Sequence, residues 1–138
     1  MILDDTVRAF LQQRLVARMT TIGADDYPHT VPVWYLLDGD DILVACGYKT
    51  RRVKHIRANP KGSLVIGGDP VSDQHRAYHP GYLFQGDFFL EGEPGFEGIT
   101  RIAYHYRDDH EQTVRDIAEW GPHQLVRFKV RKVFKVME

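Results

Sequence analysis

The segment Gly47-Tyr48-Lys49-Thr50-Arg51-Arg52-Val53-Lys54-His55-Ile56-Arg57 carries more potential chemistry than any other stretch of this sequence. Thr50 is placed to cap a helix, its hydroxyl accepting from a free first-turn amide. A helix start favours acids, and a cation there costs about 0.3–1 kcal/mol against the dipole. Here the first turn carries Arg51, Arg52 and Lys54, with Lys49 just ahead. Between Gly47 and Lys61 stand six of the chain's eighteen Lys and Arg residues and no acid. Local rules are broken in this way where function demands it. Free amides and guanidinium forks together suit an anion such as phosphate.

A second chemical segment precedes it. The run Pro28-His29-Thr30-Val31-Pro32-Val33-Trp34-Tyr35-Leu36-Leu37 has a proline in its middle. Proline cannot donate to a ladder, so this position belongs at an edge, a bulge or the rim of a site. Neighbouring backbone groups are then free to meet the polar edge of a flat ring. Trp34 and Tyr35 point to opposite faces of a strand, so at most one of them lines such a site.

Other candidates carry less. There are seven histidines. His75 and His79 are spaced by four but sit among loop formers, and His105 and His110 straddle a predicted break. None has carboxylate or cysteine partners at ligand spacing, so no metal is expected. Cys46 has basic neighbours, which can activate a thiol. It has no readable His-Asp partner, so it is expected to be a buried strand residue. Asp108-Asp109, Glu91 and Glu93 read as turn and strand-end acids. Lys129, Arg131, Lys132 and Lys135 make the last strand basic. The net charge of −1 and the lack of a recognition helix or stacking aromatics argue against nucleic acid.

The elements that must position these residues follow from periodicity and turn chemistry. Helices are predicted at Leu3–Gln13, Thr50–Ala58, Glu97–Tyr106 and Glu111–Trp120. Strands are predicted at Leu15–Ile22, Pro28–Leu37, Ile42–Cys46, Ser63–Ile66, Tyr82–Glu91 (bulged near Gly86) and Gln124–Val136. Residues 67–81 read as a loop, long enough to cover a site. At 138 residues the chain is one domain, spanning 1–138. A single cysteine excludes a disulfide framework and fits a reducing, cytoplasmic setting. No signal peptide is legible, and no apolar run approaches the ~20 residues that span a bilayer. Short turns imply antiparallel pairing, and closure removes exposed edges. The expected fold is α+β, mostly β: a six-stranded antiparallel split β-barrel of Greek-key type with flanking helices.

In order and spacing these segments resemble the pyridoxamine 5′-phosphate oxidase-like FMN-binding split-barrel family. The likeness rests on Pro28 to Trp34, then Ala45 to Arg52, then Ile56 to Val65, and extends to Tyr82 to Gly86 and the last strand, Arg127 to Val136; the 70–80 loop and the helical segment 97–120 fit it only loosely. The resemblance implies that FMN phosphate is held at Thr50, Arg51 and Arg52, with Lys49 and Lys54 beside them. It implies that the flavin ring lies along Thr30, Val31, Pro32, Val33 and Trp34, approached by Ala45 and Cys46. It also implies a homodimer with cofactor sites at the subunit interface. The implied activity is flavin-dependent oxidoreduction of a small molecule, drawing on NAD(P)H or another small redox partner. The chain ends at Glu138 without the Arg- and His-containing stretch by which the true oxidases contact substrate, so vitamin B6 oxidation is not expected. Short members use either FMN or the deazaflavin coenzyme F-420, and the Lys49-Thr50-Arg51 run fits both. A non-enzymatic flavin- or haem-binding module is the alternative of another class.

Overall fold

The computed structural model describes residues 2–71 and 77–137. The elements are α1 (Asp5–Leu11), β1 (Ala17–Ile22), β2 (Pro28–Val33), β3 (Leu36–Asp38), β4 (Asp41–Gly47), α2 (Arg51–Ala58), β5 (Lys61–Gly67), β6 (Gly81–Gly95), α3 (Glu97–Tyr106), α4 (His110–Trp120) and β7 (His123–Lys135). The strands form one antiparallel sheet in the order β2-β1-β5-β6-β7-β4-β3. The fold is therefore α+β and mostly β. The middle of the predicted 67–81 loop, with His75, falls outside the described residues.

The sheet has seven strands rather than the expected six, because the run Pro28–Leu37 breaks at Trp34 and Tyr35. Tyr35 is fully buried, and its backbone N–H donates to the Tyr106 hydroxyl at 3.1 Å. Trp34 stacks on the same Tyr106 ring, with centroids 4.9 Å apart and planes 8° from parallel. One aromatic on α3 thus anchors both residues and takes them out of the ladder. β2 and β3 end the sheet order, yet only two residues separate them. Three Cα–Cα steps reach at most about 11 Å, so the sheet must curl until its first and last strands meet.

The core lies inside that curl. Ala17 and Met19 of β1, Ile42, Val44 and Cys46 of β4, and Val126, Phe128 and Val130 of β7 alternate inward, and Val53 and Ile56 of α2 join them. The opposite phase of β7 carries Arg127, Lys129 and Arg131 outward, as its alternation predicts. The predicted bulge is present as a register shift between Gln85 and Gly86. A Cβ at Gly86 would stand 2.1 Å from the Lys129 carbonyl oxygen, so glycine lets the strands close there. A second, smaller cluster forms outside the curl, where Ile99 and Ala103 of α3 and Ile117 of α4 pack on Trp34 and Ala45. This second cluster is what positions the site.

Candidate functional site

Helix α2 starts as the sequence predicts, with Thr50 at the N-cap in an extended conformation. Its hydroxyl, however, donates to the Gly47 carbonyl at 2.7 Å and caps no amide. Helix α3, with Phe96 at its N-cap, also lacks a side-chain cap, whereas α1 and α4 are capped. Asp4 accepts from the Val7 amide at 2.9 Å and Asp109 from the Gln112 amide at 3.0 Å. The first turn of α2 therefore keeps its amides free of side-chain partners, beside Arg51, Arg52 and Lys54.

These cations meet no carboxylate among the described residues. Among the described residues Lys49, Arg51, Arg52 and Lys54 make no ion pair, whereas Arg8, Arg14, Arg18, Arg107, Arg127 and Arg131 all do. Arg51, Lys49 and Lys54 are exposed; Arg52 is half-buried, and its Nε is buried without a partner. Buried donors are normally satisfied, so this one is available to a ligand. Arg52 also lies against Cys46. Burial pushes the thiol pKa up, and the guanidinium offsets part of that rise. Cys46 is thus a buried strand residue, as expected, and not an activated nucleophile.

A cavity of about 210 Å³ adjoins this helix start. Pro32, Val33 and Trp34 of β2 and its end form one wall, and Ala45 and Arg52 another. Of the seven residues expected along the flat ring, these four plus Arg52 come together, while the rest sit apart. The Thr30 hydroxyl is shared with Thr20 at 2.8 Å, Val31 packs on the inner core, and Cys46 points inward opposite Ala45. Trp34 lines the cavity and Tyr35 does not, which resolves that pair. β2 lies at the sheet edge, as its prolines require. Pro28 and Pro32 share one phase of the strand with Thr30, and a phase that has lost two of its three donors belongs on the unpaired side.

Four residues that sequence reasoning passed over complete the cavity: Ile99, Ile102, Trp120 and His123. Trp120 does continue the buried α4 stripe of Thr113 and Ile117 by three positions, a signal that was legible. His123 gives no such signal, because its place follows from strand pairing. It lies opposite Gly47 on β4 and Gly95 on β6. Its Nδ1 is 2.9 Å from the Gly121 carbonyl oxygen. A second cavity, about 480 Å³, shares His123 as a wall and is rimmed by Glu91, Glu93, Glu97 and Arg101. The backbone of that rim is held by buried Gln124, whose Nε2 donates to the carbonyls of Glu91 and Gly92 at 3.2 and 3.1 Å. A larger cavity of about 540 Å³ lies over Thr20, Ser63, Gln85 and Lys132 and contains none of the expected site residues.

A pocket with an apolar, aromatic wall and a cationic, amide-bearing end suits a flat ring that carries an anion. The family model for pyridoxamine 5′-phosphate oxidase matches residues 3–137. The chain belongs to the pyridoxamine 5′-phosphate oxidase family. Family membership does not settle the ligand, because similar folds carry different descriptions. A conserved hypothetical protein from Mycobacterium tuberculosis is 19% identical, with a TM-score of 0.74 over 99% of this chain and 85% of that one. HutZ, the haem storage protein of Vibrio cholerae, is 15% identical, with a TM-score of 0.69 over 97% and 94%. General Stress Protein 26 of Bacillus anthracis is 11% identical, with a TM-score of 0.68 over 99% and 95%. No curated protein matches the sequence. Among the described residues no group of His, Cys, Asp and Glu is placed to hold a metal, and no helix is long and apolar enough to cross a membrane.

Proposed function

We propose that this protein is an FMN-dependent oxidoreductase acting on a small molecule. The observation that carries the reading is the start of α2: uncapped amides, unpaired Arg51 and Arg52, and a buried Arg52 Nε with no partner, all beside an aromatic-walled cavity. The residues present fit FMN. Thr50, Arg51 and Arg52 would hold its phosphate, with Lys49 and Lys54 adding positive potential at the mouth. Pro32, Val33, Trp34 and Ala45 would flank its ring, and the free edge of β2 would offer that ring backbone groups. When bound, FMN supplies two-electron redox chemistry, and the protein supplies orientation and electrostatics. The apolar wall of Trp34, Ile99 and Trp120 excludes water from the ring.

The same reading makes the protein a cytoplasmic homodimer with a site at each subunit boundary, drawing on NAD(P)H or another small redox partner. Exposed Pro32 and Trp120 at the cavity rim leave a surface for the second subunit to cover.

The test is the visible spectrum of the purified protein after addition of FMN, the deazaflavin or haem, each followed by gel filtration. A flavin spectrum eluting with a dimer is the expected result. Retention of the deazaflavin alone would replace the cofactor and keep the site. A Soret band would move the protein to the ligand class named for HutZ.

A further inference from the structure

We propose that His123 is the acid–base residue of this site, exchanging a proton through Nε2 with the substrate that meets the flat ring. The inference rests on the flavoprotein reading above. It starts from the hydrogen bond at Nδ1. The Gly121 carbonyl can only accept, so Nδ1 carries the hydrogen. In the neutral ring the lone pair is then on Nε2, at the opposite edge. No described group hydrogen-bonds to Nε2. The strand register also leaves the ring unscreened, because both cross-strand neighbours of His123 are glycines, Gly47 and Gly95. A Cβ at Gly95 would meet nothing within 4 Å, so packing does not demand glycine there, and its absence of a side chain keeps space open beside the imidazole.

The ring is the wall common to both cavities. On one side Arg52 of α2 faces the cavity. On the other stand Glu91 and Glu93 of β6 and Glu97 and Arg101 of α3. Glu91 is committed to Arg127, so Glu93, Glu97 and Arg101 are the charges free to interact with His123. The cavity rimmed by Glu93, Glu97 and Arg101 gives water a route to the imidazole from the side away from the flat-ring cavity.

Adding the elements of H₂ across a substrate double bond consumes one hydride and one proton. Bound FMN would supply the hydride, with a reduced nicotinamide as the electron source. The proton is the contribution of His123. The donor is the imidazolium, with N–H at both nitrogens: its Nε2–H bond breaks as the bond to the substrate heteroatom forms, leaving the neutral Nδ1–H ring, which takes up a proton from solvent to restore the imidazolium.

The test combines imidazole ¹⁵N NMR with the variant His123→Gln, whose amide keeps a donor for the Gly121 carbonyl. The cross-peaks lost in the variant assign His123. In the free protein they should show the Nδ1–H tautomer, and saturating FMN should move the Nε2 shift of His123. The variant should bind FMN within about threefold of the parent. It should reduce a quinone acceptor from NADPH about 100-fold more slowly and lose one limb of the pH profile. FMN binding with His123 unmoved, or a variant with full rate and an unchanged profile, would overturn the assignment and leave the flavoprotein reading intact. Failure of FMN to bind the parent would overturn both, as would a Soret band that His123→Gln abolishes.

Discussion

On β7 both arginines sit against carboxylates: Arg127 reaches Asp38, Asp41 and Glu91, all within 3.0 Å, and Arg131 reaches Asp87 at 2.8 Å. At the start of α2, Arg51 and Arg52 reach none among the described residues. Both stretches read as basic in the sequence. The difference lies in what the fold brings opposite them. Antiparallel pairing sets β7 between β4 and β6, whose Asp41, Asp87 and Glu91 are cross-strand neighbours on the same outer face. The pKa of Arg127 is raised, chiefly by its hydrogen bonds to Glu91. Helix α2 instead leaves its charge uncompensated and its amides uncapped. Neutralised cations brace strands, while uncompensated ones await an anion from outside.

The largest expected effect tests that division directly. Replacing Arg51 and Arg52 together with Ala should weaken FMN binding by about 100-fold or more, since each charge-assisted contact is roughly twice as strong as a neutral one. The melting temperature should stay within a few degrees. Unchanged flavin content after gel filtration would break the contrast. Arg127→Leu should do the reverse. It strands three carboxylates and should cost about 1–3 kcal/mol of stability in urea titration, with FMN binding preserved.

A subtler change sets the two roles against each other at one atom. Thr50→Asp supplies the missing cap and should stabilise the fold by about 0.5–1 kcal/mol. The added negative charge should weaken FMN binding about two- to fivefold. Paired measurement of urea midpoint and FMN affinity should show opposite signs.

The smallest effect concerns Asp116, held below the ordinary carboxylate pKa first by the Gln112 amide and then by Arg107. A depressed folded pKa contributes stability above the unfolded value, near 3.9, and loses it as pH falls through the folded value. The urea midpoints of parent and Asp116→Asn should differ by a constant amount near neutrality and converge in acid below about pH 4.

Much of this was legible in the sequence, for reasons the structure makes specific. Strands and helices that follow period and caps, such as α3, α4 and β7, fall within a residue or two of their predicted bounds. The basic helix start was legible because it violates a local rule. The break at Trp34 and Tyr35 was not, because it depends on a tyrosine more than seventy positions away. The inactivity of Thr50 as a cap was hidden too, since a hydroxyl can donate to Gly47 as readily as accept. His123, Ile99 and Ile102 were missed because their role arises from packing between β7, α3 and β2, where no local pattern points. The division of Thr30 to Trp34 into cavity-lining and remote residues likewise follows from strand phase at an edge that sequence alone does not orient.

The sheet order has a consequence for how the chain is made. β7 is the last strand to leave the ribosome, yet it lies between β6 and β4 in the finished sheet. Until it emerges, β4 with β3 and the four strands from β2 to β6 are separate halves joined only through their connecting segments. During that interval the apolar inner faces of both halves and the waiting edges of β4 and β6 are exposed to other nascent chains. Completion of the domain is therefore a single event that waits for β7, and until then its two halves stay unsealed.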